Sequence, residues 1–317
     1  MTHPAPTELS TKALFRLDGR TIVISGGAGS VGSTVGKAVL ESGGDAIFIE
    51  IAPQPEASRW NNIEATATAN GTKAWYHRLN VTDADAIPPV FDTIRSQIRY
   101  PLRGLVACTG ISGVCDATSY PIDAFRKIID VNIAGAFLTT QAIGREMHRA
   151  TVPGSIVLIA SMSGWISNRC INGAAYNASK SAVHQLARSL AAEWGHPQNT
   201  FDYYPAGQPK RKVHPPIRVN TISPGHIETP LTAEAQETGL VDDWVKQNML
   251  GRISQVEEYS APVLFLLESS RRWWSLRLVV ETPSQALAPW LVNRRGCYDQ
   301  GSLILALYSF VQTRLPV

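Results

Sequence analysis

Short β-branched and apolar segments alternate with segments of helical length through most of this chain, and this alternation constrains its fold most strongly. The candidate strands lie at residues 20–25, 45–51, 74–81, 104–108, 155–159 and 217–222. Apolar strands that alternate with helices form parallel sheets covered on both faces, because each crossover connection lays a helix against the sheet. The sequence therefore predicts an α/β fold, a doubly wound parallel sheet with helices on both faces.

Breaks in this alternation define the predicted domain organisation. A chain of 317 residues, 44% of them hydrophobic, is long enough for one large domain, which we place at residues 15–268 after an N-terminal arm at 1–14. Residues 196–216 contain five prolines and a run of three basic residues, which predicts an irregular insertion. Residues 269–317 lose the alternation and form an atypical C-terminal segment. It is either a genuine extension or the product of an altered reading frame or a retained intron.

Composition argues against several functional classes. The four cysteines form no C-x-x-C pair, so neither a zinc site nor a disulfide framework is indicated, and a reducing compartment such as the cytoplasm is expected. No apolar run reaches membrane-spanning length, and the first residues do not resemble a secretory signal. The segment after residue 270 has six arginines and two acids, a net charge of +4, so the rest of the chain carries −1 of the total of +3. We therefore predict no metal, no membrane partner and no nucleic-acid partner.

The sequence SGGAGSVGSTVG at residues 25–36 follows the first predicted strand and opens a helix. Glycines allow a tight turn, and the amides at a helix N-terminus can hold a pyrophosphate, although such turns also serve to pack a helix on a strand. Glu50 ends the second predicted strand 18 residues after Gly32, where a carboxylate can bind adenosine ribose hydroxyls and repel a 2′-phosphate. The pattern predicts a dinucleotide site with NAD(H) preferred and NADP(H) as the alternative.

Tyr176 and Lys180 are four residues apart at the start of a predicted helix, so their side chains share one face. A cation about 5 Å from a phenol, at an effective dielectric of about 20, favours the phenolate by about 3 kcal/mol, or about two pKa units. We therefore expect Tyr176 to titrate near neutral pH and to act in acid–base catalysis. Taken singly, each residue also has a structural explanation: Tyr176 as an aromatic residue at the rim of a pocket, and Lys180 as a solvated charge on a helix.

Several motifs together resemble the short-chain dehydrogenase/reductase family from about residue 15 to residue 268. They are SGGAGSVG at 25–32 for T-G-x-x-x-G-x-G, NV at 80–81 for the Asp and apolar pair, ACTG at 107–110 for N-N-A-G, DVNI at 130–133, Ser161 after the fifth strand, Y-x-x-x-K at 176–180 and PGHIET at 224–229 for P-G-x-x-x-T. Ser30 stands where the family has its middle glycine, and only Gly110 of the N-N-A-G motif is kept. The resemblance implies a single Rossmann-like domain.

The resemblance also implies roles for particular residues. Tyr176 exchanges a proton with the substrate oxygen, Lys180 lowers the pKa of Tyr176 and holds the nicotinamide ribose, Ser161 orients the substrate, and Asn132 positions a water in a proton relay. The expected cofactor contacts are Gly26, Ser30, Val31, Gly32, Glu50, Asn80, Val81, Gly110, Asn132, Tyr176, Lys180, Ile227 and Thr229.

The segment from Ser161 to Lys180 resembles the fungal polyol and ketose enzymes of this family, which act on mannitol, arabinitol, sorbose or xylulose. This implies a small alcohol or ketone substrate, with pocket contacts from Trp165, Asn168, Arg169 and Asn172, a lid at residues 230–250 and His226 near the substrate. Two alternatives stay open: reduction of a ketone on a larger secondary metabolite, and a noncatalytic sensor or scaffold that binds the cofactor.

The C-terminal segment departs from the family pattern. Residues 276–281 fit the seventh strand, but Thr282-Pro283 replaces the glycine pair that usually follows it. The family forms tetramers or dimers through this region, so the departure weakens the expectation of a homo-oligomer.

Overall fold

The computed structural model describes residues 15–168, 171–195, 214–232, 235, 237 and 239–268, together with the strand residues 277–278 and 304–305. The predicted N-terminal arm, most of the insertion at 196–216, Arg169 and most of the segment at 269–317 lie outside the described residues. The domain boundaries at 15 and 268 therefore stay predictions.

A parallel sheet forms the centre of the described fold. Its strands are β1 (Thr21–Ser25), β2 (Asp45–Glu50), β3 (Ala74–Arg78), β4 (Leu102–Ala107), β5 (Gly154–Ile159), β6 (Ile217–Ile222), β7 (Arg277–Leu278) and β8 (Ile304–Leu305). Their spatial order is β3-β2-β1-β4-β5-β6-β7-β8, and every pairing is parallel. The doubly wound parallel sheet that the alternation predicts is confirmed.

Strand ends differ from the prediction by a few residues. β3 ends at Arg78 rather than at residue 81, because the Asn80 side chain accepts a hydrogen bond from the Thr82 amide at 3.1 Å and turns the chain. β4 begins two residues earlier than expected, at Leu102. The two-residue strand β7 lies inside the predicted range 276–281 and pairs with the end of β6.

Helices cover both faces of the sheet. They are α1 (Ser30–Glu41), α2 (Ala57–Asn70), α3 (Ile87–Gln97), α4 (Ile122–Ile129), a π-helix (Asp130–Gly135), α5 (Ala136–Ala150), α6 (Ala174–Trp194), α7 (Leu240–Gln247) and α8 (Ser260–Leu267). On one face α3, α5 and α6 form a buried cluster with residues such as Val23 of β1, and on the other α1, α2 and α8 pack against Ile22 and Ile24. Successive residues of β1 thus enter opposite cores, which explains why this strand is apolar throughout.

The direction of the strands places the site. The segments that follow β1, β4, β5 and β6 all leave the carboxyl edge of the sheet, and β1 lies between β2 and β4, where the strand order reverses. Ligands of doubly wound sheets bind at this reversal point, outside the carboxyl ends of the strands. Within the described residues, no helix is long and apolar enough to cross a membrane, and no group of His, Cys, Asp and Glu is arranged to hold a metal ion.

Candidate active site

The glycine-rich turn after β1 forms an amide cradle at the start of α1. Gly26 has a φ of +68°, and a Cβ there would lie 2.7 Å from the Thr109 amide nitrogen. A Cβ on Gly32 would lie 2.2 Å from the Gly26 carbonyl oxygen, so both positions require glycine. Gly29 precedes the helix and has no side chain to cap it, so the amides of Ser30 and Val31 have no side-chain acceptor from the N-cap residue. This geometry fits the pyrophosphate of a dinucleotide.

Glu50 lies beside this cradle. The Gly27 amide donates to the Ile49 carbonyl at 3.1 Å, which ties the turn to the end of β2. Glu50 Oε1 accepts a hydrogen bond from the Ile51 amide at 2.9 Å, and the carboxylate is only partly buried. Glu50 therefore ends β2 at the carboxyl edge of the sheet, and its contact with an adenosine ribose stays a prediction.

Two arginines around the amide cradle and Glu50 were not predicted from the sequence. Arg78 is the register partner of Glu50 in the pairing of β2 and β3, and its Nε donates to the Ile51 carbonyl at 3.3 Å. Arg59 of α2 donates from Nη1 to the carbonyl of Ala28, in the glycine-rich turn, at 2.6 Å. Arg78 could have been found by aligning the predicted second and third strands in parallel register. Arg78 thus lies beside Glu50, whereas Arg59 also pairs with the Glu56 carboxylate at 3.8 Å.

The pair predicted to hold the adenine is divided between two tasks. Asn80 is exposed, and its Oδ1 accepts from the Thr82 amide and hydroxyl at 3.1 and 2.9 Å, so its Nδ2 is the group left to meet a base. Val81 is 5% exposed and packs against Gly135, where a Cβ would lie 2.6 Å from the Val81 Cγ2. The Val81 side chain thus supports the π-helix.

The structure brings Ser161, Tyr176 and Lys180 together beyond the end of β5. Ser161 follows β5 and starts a short 3-10 turn, in which its Oγ accepts from the Ser163 amide at 3.1 Å. The Ser161 hydroxyl is close enough to the Tyr176 phenol to lower the pKa of that phenol. Lys180 lies one turn further along α6, with its Nζ 5.6 Å from the centre of the Tyr176 ring.

Lys180 is buried close to the sheet. Its Nζ donates to the Ile159 carbonyl at 2.8 Å, and burial lowers its pKa to about 8. A Cβ on Gly110 would lie 3.3 Å from this Nζ, so the one kept residue of the N-N-A-G motif leaves room for the ammonium. Cys108, two residues earlier, has a pKa raised to about 12 by burial, and it is close enough to interact electrostatically with Lys180. The thiol is therefore neutral at physiological pH.

The expected lowering of the Tyr176 pKa is wrong for the protein without its cofactor. Burial of the Tyr176 phenol raises its pKa, and this outweighs the lowering by the Ser161 hydroxyl. The spacing of Tyr176 and Lys180 indicates the attraction between phenolate and ammonium, but it carries no information on how dry the site is. Burial also lowers the pKa of Lys180, so its positive charge, which was expected to lower the pKa of the phenol, is itself less stable.

Asn132 lies in the π-helix, and its side chain forms three hydrogen bonds inside the fold. Its Oδ1 accepts from the Ile111 amide at 2.8 Å, and its Nδ2 donates to the Ile111 carbonyl and to the Ser179 hydroxyl, both at 2.9 Å. The Ser179 hydroxyl in turn donates to the Tyr176 carbonyl at 2.7 Å. Both N–H donors are used, so a water held by this side chain would have to donate to Oδ1, and the expected role in a proton relay stays a prediction. The Asn132 side chain joins the loop after β4 to the first turn of α6.

The loop after β6 is held by its own hydrogen bonds and by the segment after β5. The Thr232 hydroxyl accepts from the Thr229 amide at 3.1 Å, and its single hydrogen is within reach of the carbonyls of Ile227 and Thr229, at 2.9 and 2.8 Å from its oxygen. The Pro224 carbonyl accepts from the Met162 amide at 2.9 Å, so this loop lies next to Ser161. Ile227 and Thr229 are therefore placed on the same side of the sheet as the Ser–Tyr–Lys cluster, as their predicted role requires.

Other predicted pocket residues have protein partners. The Asn168 side-chain amide donates to the Ser163 hydroxyl at 2.8 Å. The backbone carbonyl of Asn172 accepts from the backbone amide of Cys115 at 3.0 Å. The His226 ring stacks on Trp244 of α7 with ring centres 3.8 Å apart, and burial lowers the pKa of His226 to about 4. His226 is thus a neutral contact between the predicted lid and the loop after β6.

A doubly wound sheet, an amide cradle after β1 and a Ser–Tyr–Lys cluster at the same edge define a class of protein, the nicotinamide-dependent oxidoreductases. The chain matches the short chain dehydrogenase family over residues 20–239 and the enoyl-(acyl carrier protein) reductase family over residues 212–275. It belongs to the short-chain dehydrogenase/reductase family, whose members are oxidoreductases that bind NAD(P).

Relatives span most of the chain. The short chain dehydrogenases/reductase notP′ of Aspergillus versicolor is 46% identical over 260 residues, which cover 82% of this chain and 84% of that protein. The ribulose-forming D-arabinitol 2-dehydrogenase of Candida tropicalis is 31% identical over 268 residues, covering 81% and 88%. Among solved structures, the NADPH-dependent 3-quinuclidinone reductase of Rhodotorula rubra is 26% identical with a TM-score of 0.70, covering 89% of this chain and 98% of that one.

Proposed function

We propose that this oxidoreductase interconverts a secondary alcohol and a ketone, and that its substrate is a polyol or ketose. The observation that carries the reaction type is the cluster itself, in which the Ser161 hydroxyl is close enough to the Tyr176 phenol to act on its pKa and the Lys180 ammonium lies 5.6 Å from the centre of the Tyr176 ring. The similarity to D-arabinitol 2-dehydrogenase over most of the chain supports the substrate class.

A bound nicotinamide ring would accept a hydride from the alcohol carbon, or donate one to the ketone carbon. The residues of this chain would handle the proton. When an alcohol is oxidised, the Tyr176 oxygen takes the hydroxyl proton as the C–H bond breaks, and when a ketone is reduced it returns a proton to the new alkoxide. Ser161 holds the substrate oxygen by a hydrogen bond, and the Lys180 ammonium stabilises the phenolate form of Tyr176.

The cofactor site is proposed to prefer NAD(H). The Glu50 carboxylate at the end of β2 would accept hydrogen bonds from both ribose hydroxyls and would repel a 2′-phosphate. Arg78 reduces that repulsion, so NADP(H) is the second candidate. Gly26, Ser30, Val31, Gly32, Asn80, Val81, Gly110, Asn132, Tyr176, Lys180, Ile227 and Thr229 complete the proposed cofactor contacts.

A second candidate substrate is a ketone on a larger molecule. It is favoured by the likeness to a reductase of the bicyclic ketone 3-quinuclidinone, which is 26% identical to this chain with a TM-score of 0.70. The Asn168 amide already donates to the Ser163 hydroxyl, which leaves fewer donors to recognise the several hydroxyls of a sugar alcohol.

A spectrophotometric screen tests these proposals. Purified full-length chain would be mixed with NAD⁺ or NADP⁺ and a panel of pentitols and hexitols, and with NADH or NADPH and the matching ketoses and bicyclic ketones. Turnover of polyols or ketoses with NAD(H) supports the leading proposal, and turnover of bulky ketones alone supports the second. Tight cofactor binding with no turnover of any alcohol or ketone would refute both in favour of a sensor.

A further inference from the structure

A buried histidine lies directly behind the proposed catalytic serine. His184 follows Lys180 by one turn of α6 and Tyr176 by two, so the three side chains share one helix face. It is 2% exposed. Its Nε2 lies 3.4 Å from the Ser161 carbonyl oxygen and 3.3 Å from the Ser223 hydroxyl. The imidazole therefore contacts both the segment after β5 and the segment after β6.

The partners of His184 assign its tautomer. A carbonyl oxygen can only accept, so the contact with Ser161 requires a hydrogen on Nε2. Nδ1 is then an acceptor, and the Thr221 hydroxyl at 3.4 Å is its donor. Both ring nitrogens of a neutral imidazole have a partner in this arrangement, and the partners lie in β6 or in the segments that follow β5 and β6.

The same two segments are joined at further points around His184. The Trp165 indole donates to the Ser223 hydroxyl at 3.3 Å, and its ring lies over the His184 ring with centres 4.1 Å apart. A Cβ on Gly164 would lie 2.8 Å from His184 Cδ2 and 2.7 Å from the Lys180 carbonyl carbon. The ring is enclosed on all these sides, so a change at His184 has to move its neighbours.

The partners of His184 belong to the two segments that are proposed to hold the substrate and the nicotinamide. Ser161 is the residue proposed to hold the substrate oxygen, and Ser223 directly precedes Pro224-Gly225 and the loop proposed to hold the nicotinamide carboxamide through Ile227 and Thr229. Hydride transfer needs the substrate carbon and the nicotinamide ring about 3–3.5 Å apart, and displacements of about 1 Å reduce rates strongly. A group that contacts both supports is therefore well placed to set that distance.

We propose that His184 is a positioning residue that fixes the catalytic Ser161 relative to the nicotinamide loop at residues 224–229. The inference rests on the proposed function in one respect, that this loop and Ser161 serve a nicotinamide and its substrate. His184 itself touches neither ligand and acts through Ser161 and Ser223.

The test compares two ligands that share every part except the nicotinamide. Dissociation constants for NADH and for ADP-ribose would be measured by fluorescence titration and calorimetry in the wild type and in His184→Phe, which keeps the ring and its stacking on Trp165. We expect His184→Phe to weaken NADH binding about tenfold, since the contacts with Ser161, Thr221 and Ser223 are lost, and to leave ADP-ribose binding within about twofold. His184→Gln, which retains a donor and an acceptor, should restore NADH binding to within about threefold of the wild type.

Two further variants serve as a substitute for His184→Phe and as a control for destabilisation. If His184→Phe does not fold, Ser223→Ala removes the shared hydroxyl instead and should produce the same selective loss of NADH affinity. Val183→Ala, which creates a cavity in the core one residue away from His184, is the control for general destabilisation. It should leave the ratio of the NADH and ADP-ribose affinities unchanged.

The outcomes separate this inference from the proposed function. Equal weakening of NADH and ADP-ribose, or an unchanged ratio in a folded variant, would overturn the positioning role. A wild-type chain that binds NADH but converts no alcohol or ketone would instead overturn the proposed reaction, while a selective loss in His184→Phe would still support the link between the two segments.

Discussion

The ammonium of Lys180 lies 5.6 Å from the centre of the Tyr176 ring, and burial shifts both pKa values away from the charged forms. The pKa of Lys180 falls to about 8 and that of Tyr176 rises above its usual value. Each group therefore needs the charge of the other in a site that disfavours both. A positively charged nicotinamide, when bound in its oxidised form, would add a further charge that favours the phenolate.

Replacing Tyr176 by Phe should abolish most of the activity without unfolding the chain. The ring volume is kept, while the group that exchanges the proton is lost, so kcat should fall by about 10²–10⁴-fold. Absorbance of NADH with a substrate found in the screen measures this, and NADH affinity should change little. Tyr100→Phe, outside the site, is the control and should keep full activity. Activity above one tenth of the wild type in Tyr176→Phe would remove Tyr176 from the proposed reaction.

Lys180 should make the stability of the protein depend on pH in an unusual direction. Its pKa is lowered to about 8 from 10.5, so between about pH 8 and 10.5 the unfolded state binds more protons and stability rises with pH. Below pH 8 the full cost of the buried charge is present. The stability of the wild type relative to Lys180→Met should therefore rise by about 2 kcal/mol between pH 7 and pH 10.

Urea unfolding at the two pH values measures this difference. Lys246→Met, at an exposed position on α7, is the matched control and should show no such change. If the curves of wild type and Lys180→Met run parallel with pH, the ammonium is not held at a lowered pKa.

Asn132→Ala should destabilise the protein and also reduce its activity. It removes three hydrogen bonds and leaves the partly buried amide and carbonyl of Ile111 without this partner, which should cost about 2–3 kcal/mol. Since the Ser179 link to the Tyr176 carbonyl also loses its support, kcat should fall as well. Chemical unfolding and steady-state kinetics measure the two effects. Asn62→Ala, on the exposed face of α2, should do neither, and a fully stable Asn132→Ala would contradict the described network.

Glu50→Gln should shift the cofactor preference from NADH towards NADPH. The neutral amide binds ribose hydroxyls less strongly and no longer repels a 2′-phosphate, while Arg78 remains beside it. We expect the dissociation constant for NADH to rise about tenfold and that for NADPH to fall by a similar factor. Fluorescence titration measures both, with Glu64→Gln on α2 as the control. An unchanged ratio would show that Glu50 does not select the cofactor.

Local patterns carried much of the fold and of the candidate site. The six main strands and the shared face of Tyr176 and Lys180 depend on periodicity and on spacing within one helix, which can be read along the chain. The approach of Arg78 to Glu50 depends on the register of two strands far apart in sequence. The raised pKa of Tyr176 depends on burial by several elements, and the engaged amide of Asn132 depends on a loop 21 residues away. These properties belong to the folded chain rather than to any one segment.

The stacked rings of His226 and Trp244 have a consequence for turnover. With ring centres 3.8 Å apart and planes 4° from parallel, they fasten helix α7 to the loop that follows β6. Any outward swing of that helix must separate the two aromatic faces or drag the loop along. We therefore expect release of the substrate and loosening of the proposed nicotinamide loop to be kinetically linked.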